Sequence, residues 1–249
     1  MKKMGAQFLY AILAGICIGL GGTIYLRLRD AFPGGQVVGA LLFAIGLFTI
    51  CTRGYSLYTG KVSYLLDNRN AFYVLSLPVI WLGNLLGCML IAWLESLTLL
   101  AGPMGIDAVA RGMIDAKMNS SYLSLFILGI LCNIFIFIAI SGYHNNPHQL
   151  GKYLSLFLGV SIFILAGTEH SIADMYYWCI SGEIYRTPGE SLLRILTVTL
   201  GNSVGGLFLP LTEHLKARLD ATPVVAPSIA PIVSSTIPPV ISPQKKVLF

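Results

Sequence analysis

The stretch Ala166-Gly167-Thr168-Glu169-His170-Ser171-Ile172-Ala173-Asp174-Met175 interrupts a long apolar sequence with ionisable side chains. It places three ionisable side chains within six positions, directly after an uncharged run that begins at Tyr153. An Asp at the centre of a membrane helix costs about 2.5–3.5 kcal/mol on insertion scales, so ionisable groups at that depth are retained mainly where they have a function. The stretch therefore predicts a functional site inside a membrane segment.

The composition indicates an integral membrane protein. Of 249 residues, 55% are hydrophobic and only 11% are charged, which is too few polar side chains to cover a soluble globule of this size. Uncharged runs of near bilayer-spanning length are Met4–Leu26, Gly34–Thr52, Ala71–Leu94, Ser120–Gly142, Tyr153–Thr168 and Ile195–Thr212. The sequence therefore predicts an all-α protein with six membrane crossings.

The first run is interpreted as a membrane helix. Met1-Lys2-Lys3 precedes it as in a signal peptide, but the run is too long for a signal-peptide core and offers no convincing cleavage site. Six crossings place both termini on one side, and Lys and Arg are more frequent in the turns and tail of that side. We therefore expect a multi-pass plasma-membrane protein with both termini in the cytoplasm.

Several other classes of protein are disfavoured. The net charge of +5 is small and scattered, so we expect no nucleic-acid partner. The five cysteines stand singly in apolar stretches, as packing residues do, which favours neither disulfides nor a metal site. His144 and His148 have helical metal-ligand spacing, but Pro147 disrupts the helix between them, so a solvated loop is expected.

A second interruption follows the second apolar run. Gly54, Gly60 and Lys61 fall in a segment rich in hydroxyl side chains, which is not typical of a continuous lipid-facing helix. Irregular backbone at membrane depth is tolerated only where protein buries it or a cavity hydrates it. We predict a broken second helix with a short helical piece over Val62–Asp67, matching the break in the fifth helix.

The two halves of the sequence resemble each other. The pattern Leu-Gly-Asn-x-x-Gly occurs at 82–87 and again 118 positions later, and the interrupted segments at Gly54 and Gly167 are 113 positions apart. Three helices per half force the halves to insert with opposite topology, which gives an inverted repeat. We assign residues 1–218 to this membrane domain. The remainder, 219–249, has regular prolines and few charges, and is predicted to be a disordered tail.

The interrupted helices indicate an anion pathway. Half-helices that end near the midplane present unpaired N–H groups and positive dipole ends, to which Lys117 and Lys61 add charge. His170 has an ordinary pKa of about 6.5, so it can exchange a proton near neutrality, although a buried histidine bonded to a carbonyl is an equally simple interpretation. Thr59 and Asn133 are candidate hydrogen-bond partners for His170. Glu169 points elsewhere on the helix and is expected to bond a helix terminus or backbone donor.

Four motifs taken together resemble the formate/nitrite transporter family, which also includes hydrosulfide channels. The resemblance extends from Met4 to about Leu211. The motifs are Gly54-Tyr55-Ser56-Leu57-Tyr58-Thr59-Gly60, Gly129-Ile130-Leu131-Cys132-Asn133, Gly167-Thr168-Glu169-His170-Ser171-Ile172-Ala173-Asp174-Met175 and Thr197-Val198-Thr199-Leu200-Gly201-Asn202. In the family the third motif runs Gly-Phe-Glu-His-Ser-Ile-Ala-Asn-Met.

The resemblance implies an aquaporin-like fold with broken second and fifth helices, and a homopentamer with one pore in each protomer. It also implies a substrate pathway made by His170, Thr59, Asn133 and the vestibular Lys117, which is sixteen positions before Asn133 as in the family. Glu169 and Asn202 are expected behind that pathway. Two apolar constrictions are implied, one by Phe43, Leu47 and Phe163, the other by Leu57, Tyr58 and Ile136.

The chain departs from the family pattern beside these constrictions. Ser56 replaces an acidic residue, and Tyr58 and Thr168 each replace a phenylalanine. Arg53 adds a cation near the loop. We expect these changes to make the constriction more polar, so the substrate preference does not follow from the family alone.

These observations lead to one hypothesis and two alternatives. Formate is the first candidate substrate, followed by nitrite and hydrosulfide; the anion gains a proton through a relay that includes His170 and crosses as the neutral acid. A competing version keeps His170 as a hydrogen-bond donor in a true anion channel. Neither version needs a cofactor, a metal or a catalytic residue. The alternatives are a membrane enzyme with a metal at Glu169, His170 and Asp174, and a neutral-solute pore.

Overall fold

The computed structural model of the protein describes residues 2–221, which form helices joined by turns and contain no strand. The helices are α1 (Lys2–Leu28), α2 (Gly35–Phe43), α3 (Ile45–Arg53), α4 (Tyr58–Val62), α5 (Ala71–Ser96), α6 (Ile106–Met118), α7 (Tyr122–Asn145), α8 (Gln149–Leu165), α9 (Ser171–Ile180), α10 (Glu183–Arg186) and α11 (Pro188–Asp220). Helix α11 continues two residues past the predicted domain boundary at 218. Residues 222–249, most of the predicted tail, lie outside the described residues.

Six crossings are formed, as predicted. Five segments are long and apolar enough to span a membrane: α1, α2 with α3, α5, α7 and α11. The sixth crossing is α8, an apolar helix of 17 residues, followed after a break by the ten residues of α9. Large apolar side chains are exposed along the crossing helices, where a lipid or a second protein covers them.

The first break lies between α3 and α4. Helix α3 ends at Gly54, whose φ of 71° belongs to the left-handed region that glycine adopts without strain. Helix α4 then begins at Tyr58, with Leu57 in an extended conformation before it. The prediction of a helical piece over Val62–Asp67 is wrong: the helix spans Tyr58–Val62 and residues 63–67 form turns.

The second break lies between α8 and α9, as predicted. Gly167 has a φ of 67°, and His170 is extended and precedes the first residue of α9. The α9 helix is buried along its whole length, so this half-helix is enclosed by protein. Its ten residues include Asp174, which sits where solvent has little access.

Two asparagines hold the two breaks in the same way. Asn84 on α5 donates its amide to the carbonyls of Ala11 and Ser56 and accepts the N–H of Tyr58. The Asn84 oxygen thus gives the first N–H of α4 an acceptor, which explains why that helix begins earlier than predicted.

Asn202 on α11 repeats the arrangement at the second break. Its amide donates to the carbonyls of Gly129 and Glu169, and its oxygen accepts the N–H of Ser171. Every partner lies 113 or 118 positions after its counterpart in the first half. The predicted repeat is therefore confirmed at the level of individual hydrogen bonds.

The close contacts between helices repeat with the same offset of 118 positions. A Cβ added to Gly87 would lie 2.1 Å from the carbonyl oxygen of Ile12, and one added to Gly205 would lie 2.0 Å from that of Ile130. Small residues let helix backbones approach closely in lipid, where the hydrophobic effect does not drive helices together. The pairs α1–α5 and α7–α11 are thus the equivalent halves of the bundle.

The two ends of the described chain lie on one face of the bundle. His214, near the end of α11, contacts Asp67 with 2.9 Å between Nε2 and Oδ1. Gln7 near the start of α1 lines the same cavity as Asn68. We call this the inner face and the opposite one the outer face.

Candidate functional site

Two cavities enter the bundle from its two faces. The outer cavity, about 510 Å³, is lined by residues of α1, α6 and the break before α9, including His170. The inner cavity, about 530 Å³, is lined by residues around the first break, including Leu57 and Gly60. Thr59, fully buried, is the residue directly before Gly60. The two cavities therefore approach each other at the level of His170 and Thr59.

His170 and Thr59 meet at the centre of the bundle. The His170 Nε2 atom lies 2.9 Å from the Thr59 hydroxyl, and both side chains are buried. Nδ1 of the same ring accepts the N–H of Ala173, 3.1 Å away, and so caps α9. Because Nδ1 is an acceptor, the neutral ring carries its proton on Nε2 and donates it to Thr59. The Thr59 hydroxyl is left with a proton to donate elsewhere.

The predicted first constriction is partly assembled. The rings of Phe43 and Phe163 meet edge to face, with centroids 6.3 Å apart, and Phe163 stacks on His170 at 5.5 Å. Both phenylalanines line the outer cavity beside His170. Leu47, four positions after Phe43, is buried and lines neither cavity.

Only one member of the predicted second constriction lines a cavity. Leu57 lies on the wall of the inner cavity, whereas Ile136 is buried in the protein. Tyr58 is turned toward α11, where its hydroxyl shares a hydrogen bond of 2.9 Å with Ser203. Leu57 is thus the member of the predicted second constriction that faces the inner cavity.

Asn133 supports Thr59 through the backbone. Its amide donates to the carbonyl of Thr59 at 3.0 Å and to that of Asn202 at 2.7 Å, and it makes no hydrogen bond to His170. The expectation that Asn133 bonds His170 directly is therefore wrong. Asn133 joins α7, α4 and α11 behind the central pair, and its own Oδ1 is buried without a partner.

Lys117 lies in an ion cluster. Its ammonium binds the carboxylates of Glu169 and Asp174, with 2.6 Å between Nζ and the Asp174 oxygen. Burial alone would lower the pKa of Lys117, but the two carboxylates raise it above its ordinary value. Glu169 was expected to bond a helix terminus or backbone donor, and its side chain binds Lys117 instead. The wall of the outer cavity therefore carries this cluster of one positive and two negative groups, together with the ion pair of Arg29 and Asp30, rather than a free Lys117 cation.

Arg194 is a supporting residue that the sequence analysis missed. Its guanidinium donates to the carbonyls of Lys117 and Ser120, at 2.7 and 2.8 Å, and binds Glu190 at 2.7 Å. It thereby fixes the C-terminal end of α6, which carries Lys117. The available sequence signal was a single arginine directly before the last apolar run, which begins at Ile195.

The two added hydroxyls make hydrogen bonds within the protein. The hydroxyl of Tyr58 is bonded to Ser203, as described above, and that of Thr168 donates to the carbonyl of Phe163 at 2.8 Å. Arg53 is exposed and lines neither cavity. Of the four departures, Thr168 alone lines a cavity. Ser56 is buried, and its carbonyl accepts the Asn84 amide.

The side chains proposed for a metal-dependent enzyme have other partners. Glu169 and Asp174 bind Lys117, and both ring nitrogens of His170 are engaged. Within residues 2–221 no group of three His, Cys, Asp or Glu side chains is placed to hold a metal ion. The geometry therefore favours a pathway over a coordination site.

Comparison with known sequences identifies relatives over most of the chain. The family model described as formate/nitrite transporter matches residues 1–214. The formate channel FocA of Haemophilus influenzae is 26% identical over 240 residues, covering 82% of this chain and 84% of that one. The nitrite transporter NirC of Escherichia coli is 30% identical over 210 residues, covering 78% of this chain and 76% of that one.

Solved structures share the fold. A pentameric formate channel with formate bound superposes with a TM-score of 0.72 at 24% identity, covering 88% of this chain and 98% of that one. A second structure, an ion channel of the FNT family, superposes with a TM-score of 0.74 at 26% identity, covering 85% and 90%.

Proposed function

Because the chain belongs to the formate/nitrite transporter family, we propose that it carries formate across the membrane, with nitrite and hydrosulfide as the next candidate substrates. The family is one of membrane channels and transporters of small anions, not of enzymes. The choice of formate and nitrite as candidate substrates is supported by two relatives, one a formate channel and the other a nitrite transporter.

The observation that carries the proposal is the buried pair of His170 and Thr59 between two cavities. The 2.9 Å contact orients the threonine hydroxyl, whose proton is free to meet an anion. A hydrogen bond to a charged acceptor is worth about 1.5–3 kcal/mol, which partly offsets the loss of water around the anion. The pair is thus suited to hold a small monovalent anion briefly.

The apolar residues on either side favour passage as the neutral acid. Phe43 and Phe163 lie on the outer side and Leu57 on the inner side. Burial of an anion among such residues raises its pKa, so it gains a proton there more readily than in water. A carboxylic acid of pKa about 4.3 is less than about 1% neutral at pH 7, so lipid alone passes little of it.

The geometry around His170 favours a hydrogen-bonding role over a proton relay. To relay a proton, the ring must become an imidazolium with N–H groups at both nitrogens. The Nδ1 atom would then face the N–H of Ala173, 3.1 Å away, and the cap of α9 would be lost. In the proposed mechanism the neutral ring therefore fixes Thr59, and the proton reaches the anion from the water of the vestibule.

Two His170 variants separate these roles. His170→Gln has a side chain long enough to reach Thr59, whereas His170→Asn retains an acceptor suited to cap α9 but is too short to reach it. Neither residue titrates near neutrality. We expect labelled formate uptake by liposomes, driven by a proton gradient, to persist in His170→Gln and to fall at least about tenfold in His170→Asn.

The outcome distinguishes three cases. Loss of proton-driven uptake in both variants, with the oligomer intact in size-exclusion chromatography, would support the relay instead. Unchanged uptake in both would remove His170 from the pathway. No uptake by the unaltered protein would contradict the proposed function itself.

We place five copies of the chain in a plasma membrane, each with its own pore. Supporting the assembly, the solved relative with formate bound is pentameric. Supporting the location, the crossing helices are apolar enough to span a bilayer. The positive charges of the inner face favour a cytoplasmic position for both termini. Crosslinking and protease accessibility of terminal tags test these two points.

A further inference from the structure

We propose that the inner cavity contains an anion-binding site centred on Lys61, which takes the permeant monovalent anion before it reaches Thr59. The inference rests on the proposed function for the identity of the anion. It rests on the structure for the position of the site, which lies on the side of the bundle opposite Lys117.

Lys61 is a half-buried cation on the wall of an enclosed space. It lines the inner cavity, and its ammonium has neither an ion pair nor a hydrogen bond to any residue in the described range. Its backbone is fixed, because the carbonyl of Lys61 accepts the hydroxyl of Tyr73 at 2.6 Å. The charge is therefore held at the cavity without a protein counter-ion.

The acidic groups of this region do not neutralise Lys61. Asp67 is exposed, binds His214 at 2.9 Å and does not line the cavity. No Asp or Glu lines the inner cavity, within the part of the chain that the structure describes. A Lys ammonium on a cavity wall without an acidic neighbour attracts anions from the adjoining solution.

Other polar groups line the same cavity as Lys61. Tyr64 lines the same cavity, and its hydroxyl is buried without a hydrogen-bond partner. Asn68 fixes this segment by donating to the carbonyl of Tyr64 at 3.0 Å. His144 also lines this cavity, and its ring centroid lies 6.5 Å from that of Tyr64. An ammonium and an unpaired tyrosine hydroxyl contributed by residues of one cavity suit a small oxyanion, which offers several acceptor lone pairs.

The outer cavity has the opposite balance of charge. There Lys117 is bound by Glu169 and Asp174, so its charge is more than compensated. Lys61 and Asp174 occupy equivalent positions of the two halves, 113 positions apart, and carry opposite charges. The inverted repeat thus places a free cation at the inner mouth and a carboxylate at the outer mouth.

The test compares formate uptake from the two faces. Right-side-out and everted membrane vesicles present opposite faces, and the N-terminal tag identifies the inner one. We expect Lys61→Met to raise the half-saturating formate concentration about fivefold or more from the inner face, and to leave it within twofold from the outer face. Lys61→Arg retains the charge and is expected to behave as the unaltered protein does.

Arg53→Met is the matched control. Arg53 lies shortly before Lys61 in the sequence, but its side chain is exposed and lines neither cavity, so this variant removes one cation without changing a cavity wall. Equal effects of Lys61→Met and Arg53→Met would overturn the inference. So would an equal change from both faces in Lys61→Met.

Binding without transport separates this inference from the proposed function. The saturation-transfer NMR signal of the formate proton is measured on purified protein. We expect a signal that Lys61→Met reduces at least about threefold and Arg53→Met does not. If the unaltered protein binds formate in this way but transports none, the proposed function fails and the site stands. If Lys61→Met leaves the signal unchanged, the site is refuted whatever the uptake.

Discussion

Asp174 brings a second carboxylate to the Lys117 ammonium, with 2.6 Å between the paired atoms. Its Oδ2 atom is buried and has no hydrogen-bond partner. The formate/nitrite transporter motif that this stretch resembles has Asn in this place, so the carboxylate distinguishes this chain. The outer cavity is consequently more negative than it would be with an amide of the same shape.

Asp174→Asn removes that charge and nearly preserves the shape of the side chain. We expect the half-saturating formate concentration from the outer face to fall by about two- to fivefold. The reason is that the repulsion between two unit negative charges about 4 Å apart in water is about 1 kcal/mol. Asp115→Asn, on the exposed side of α6, serves as the control and is expected to have no effect. A rise in the half-saturating concentration in Asp174→Asn would contradict this account of the outer cavity.

Lys117 holds the two carboxylates together, and its raised pKa keeps it charged throughout the neutral range. Lys117→Met leaves Glu169 and Asp174 facing each other without a cation. Without the ammonium, the two buried carboxylates repel each other, and a proton bound by the pair relieves this repulsion more readily as the pH falls. We therefore expect the Tm of the variant to be lower at pH 8 than at pH 5, by more than any such difference in the unaltered protein. Equal Tm differences in the two proteins would argue against the ion cluster.

The sequence predicted the central side chains of the site better than their partners. His170 and Thr59 are identifiable from their motifs, and the structure brings them together. The pairing of Lys117 with Glu169 and Asp174 spans 52 and 57 positions and depends on how α6 packs against α9 and the break before it. Short-range spacing rules describe neighbours three or four positions apart on one helix, so they carry no information on such a pair.

At the scale of elements, the breaks in the second and fifth crossings depend on one asparagine each. Asn202→Ala would leave the carbonyls of Gly129 and Glu169 and the N–H of Ser171 without their partner. Each buried group left unpaired costs about 1–3 kcal/mol, so we expect a loss of about 3 kcal/mol or more. Asn84 makes the equivalent bonds at the first break, so we expect Asn84→Ala to lower the stability by a similar amount.

Thermal unfolding of the purified variants measures this effect. Asn119→Ala is the control, because that exposed side chain makes one hydrogen bond within its own turn. If Asn202→Ala and Asn119→Ala lowered the Tm equally, the asparagine would not be what holds the break.

Glycine contacts between helices provide an independent test of the repeat. A Cβ at Gly87 or Gly205 would collide with the backbone carbonyl of Ile12 or Ile130, which cannot move aside as a flexible side chain does. We expect Gly87→Ala and Gly205→Ala to lower the Tm by similar amounts and to reduce the yield of folded protein. Gly112→Ala on α6, where the added Cβ meets nothing within 4 Å, is expected to be neutral or slightly stabilising. A neutral result at Gly205 would contradict the packing described for α7 and α11.

The order of the helices was largely predictable from the sequence, whereas the residues at which they begin and end were not. Uncharged runs identified the six crossings, and glycines with neighbouring polar residues identified both breaks. The start of α4 was placed too late, because it is set by a hydrogen bond that the N–H of Tyr58 donates to Asn84, 26 positions away. Local sequence preferences do not contain such a long-range cap.

At the scale of the whole molecule, the inverted repeat gives two cavities of similar size but opposite charge. The inner one, near 530 Å³, holds Lys61, and the outer one, near 510 Å³, holds the Lys117 cluster with two carboxylates. A twofold-related backbone therefore supports a pathway whose two mouths are chemically different. Half-saturation by formate is accordingly expected to differ between the two directions of uptake.

The most direct test of the central claim is uptake of labelled formate by liposomes that contain the purified protein, with the external pH stepped from neutral to acid and with nitrite and hydrosulfide as competitors. A pore that passes the anion as its neutral acid predicts uptake that rises as the external pH falls, exceeds that of empty liposomes, and is suppressed by at least one competitor. Formate uptake no faster than in empty liposomes at every pH would contradict the account.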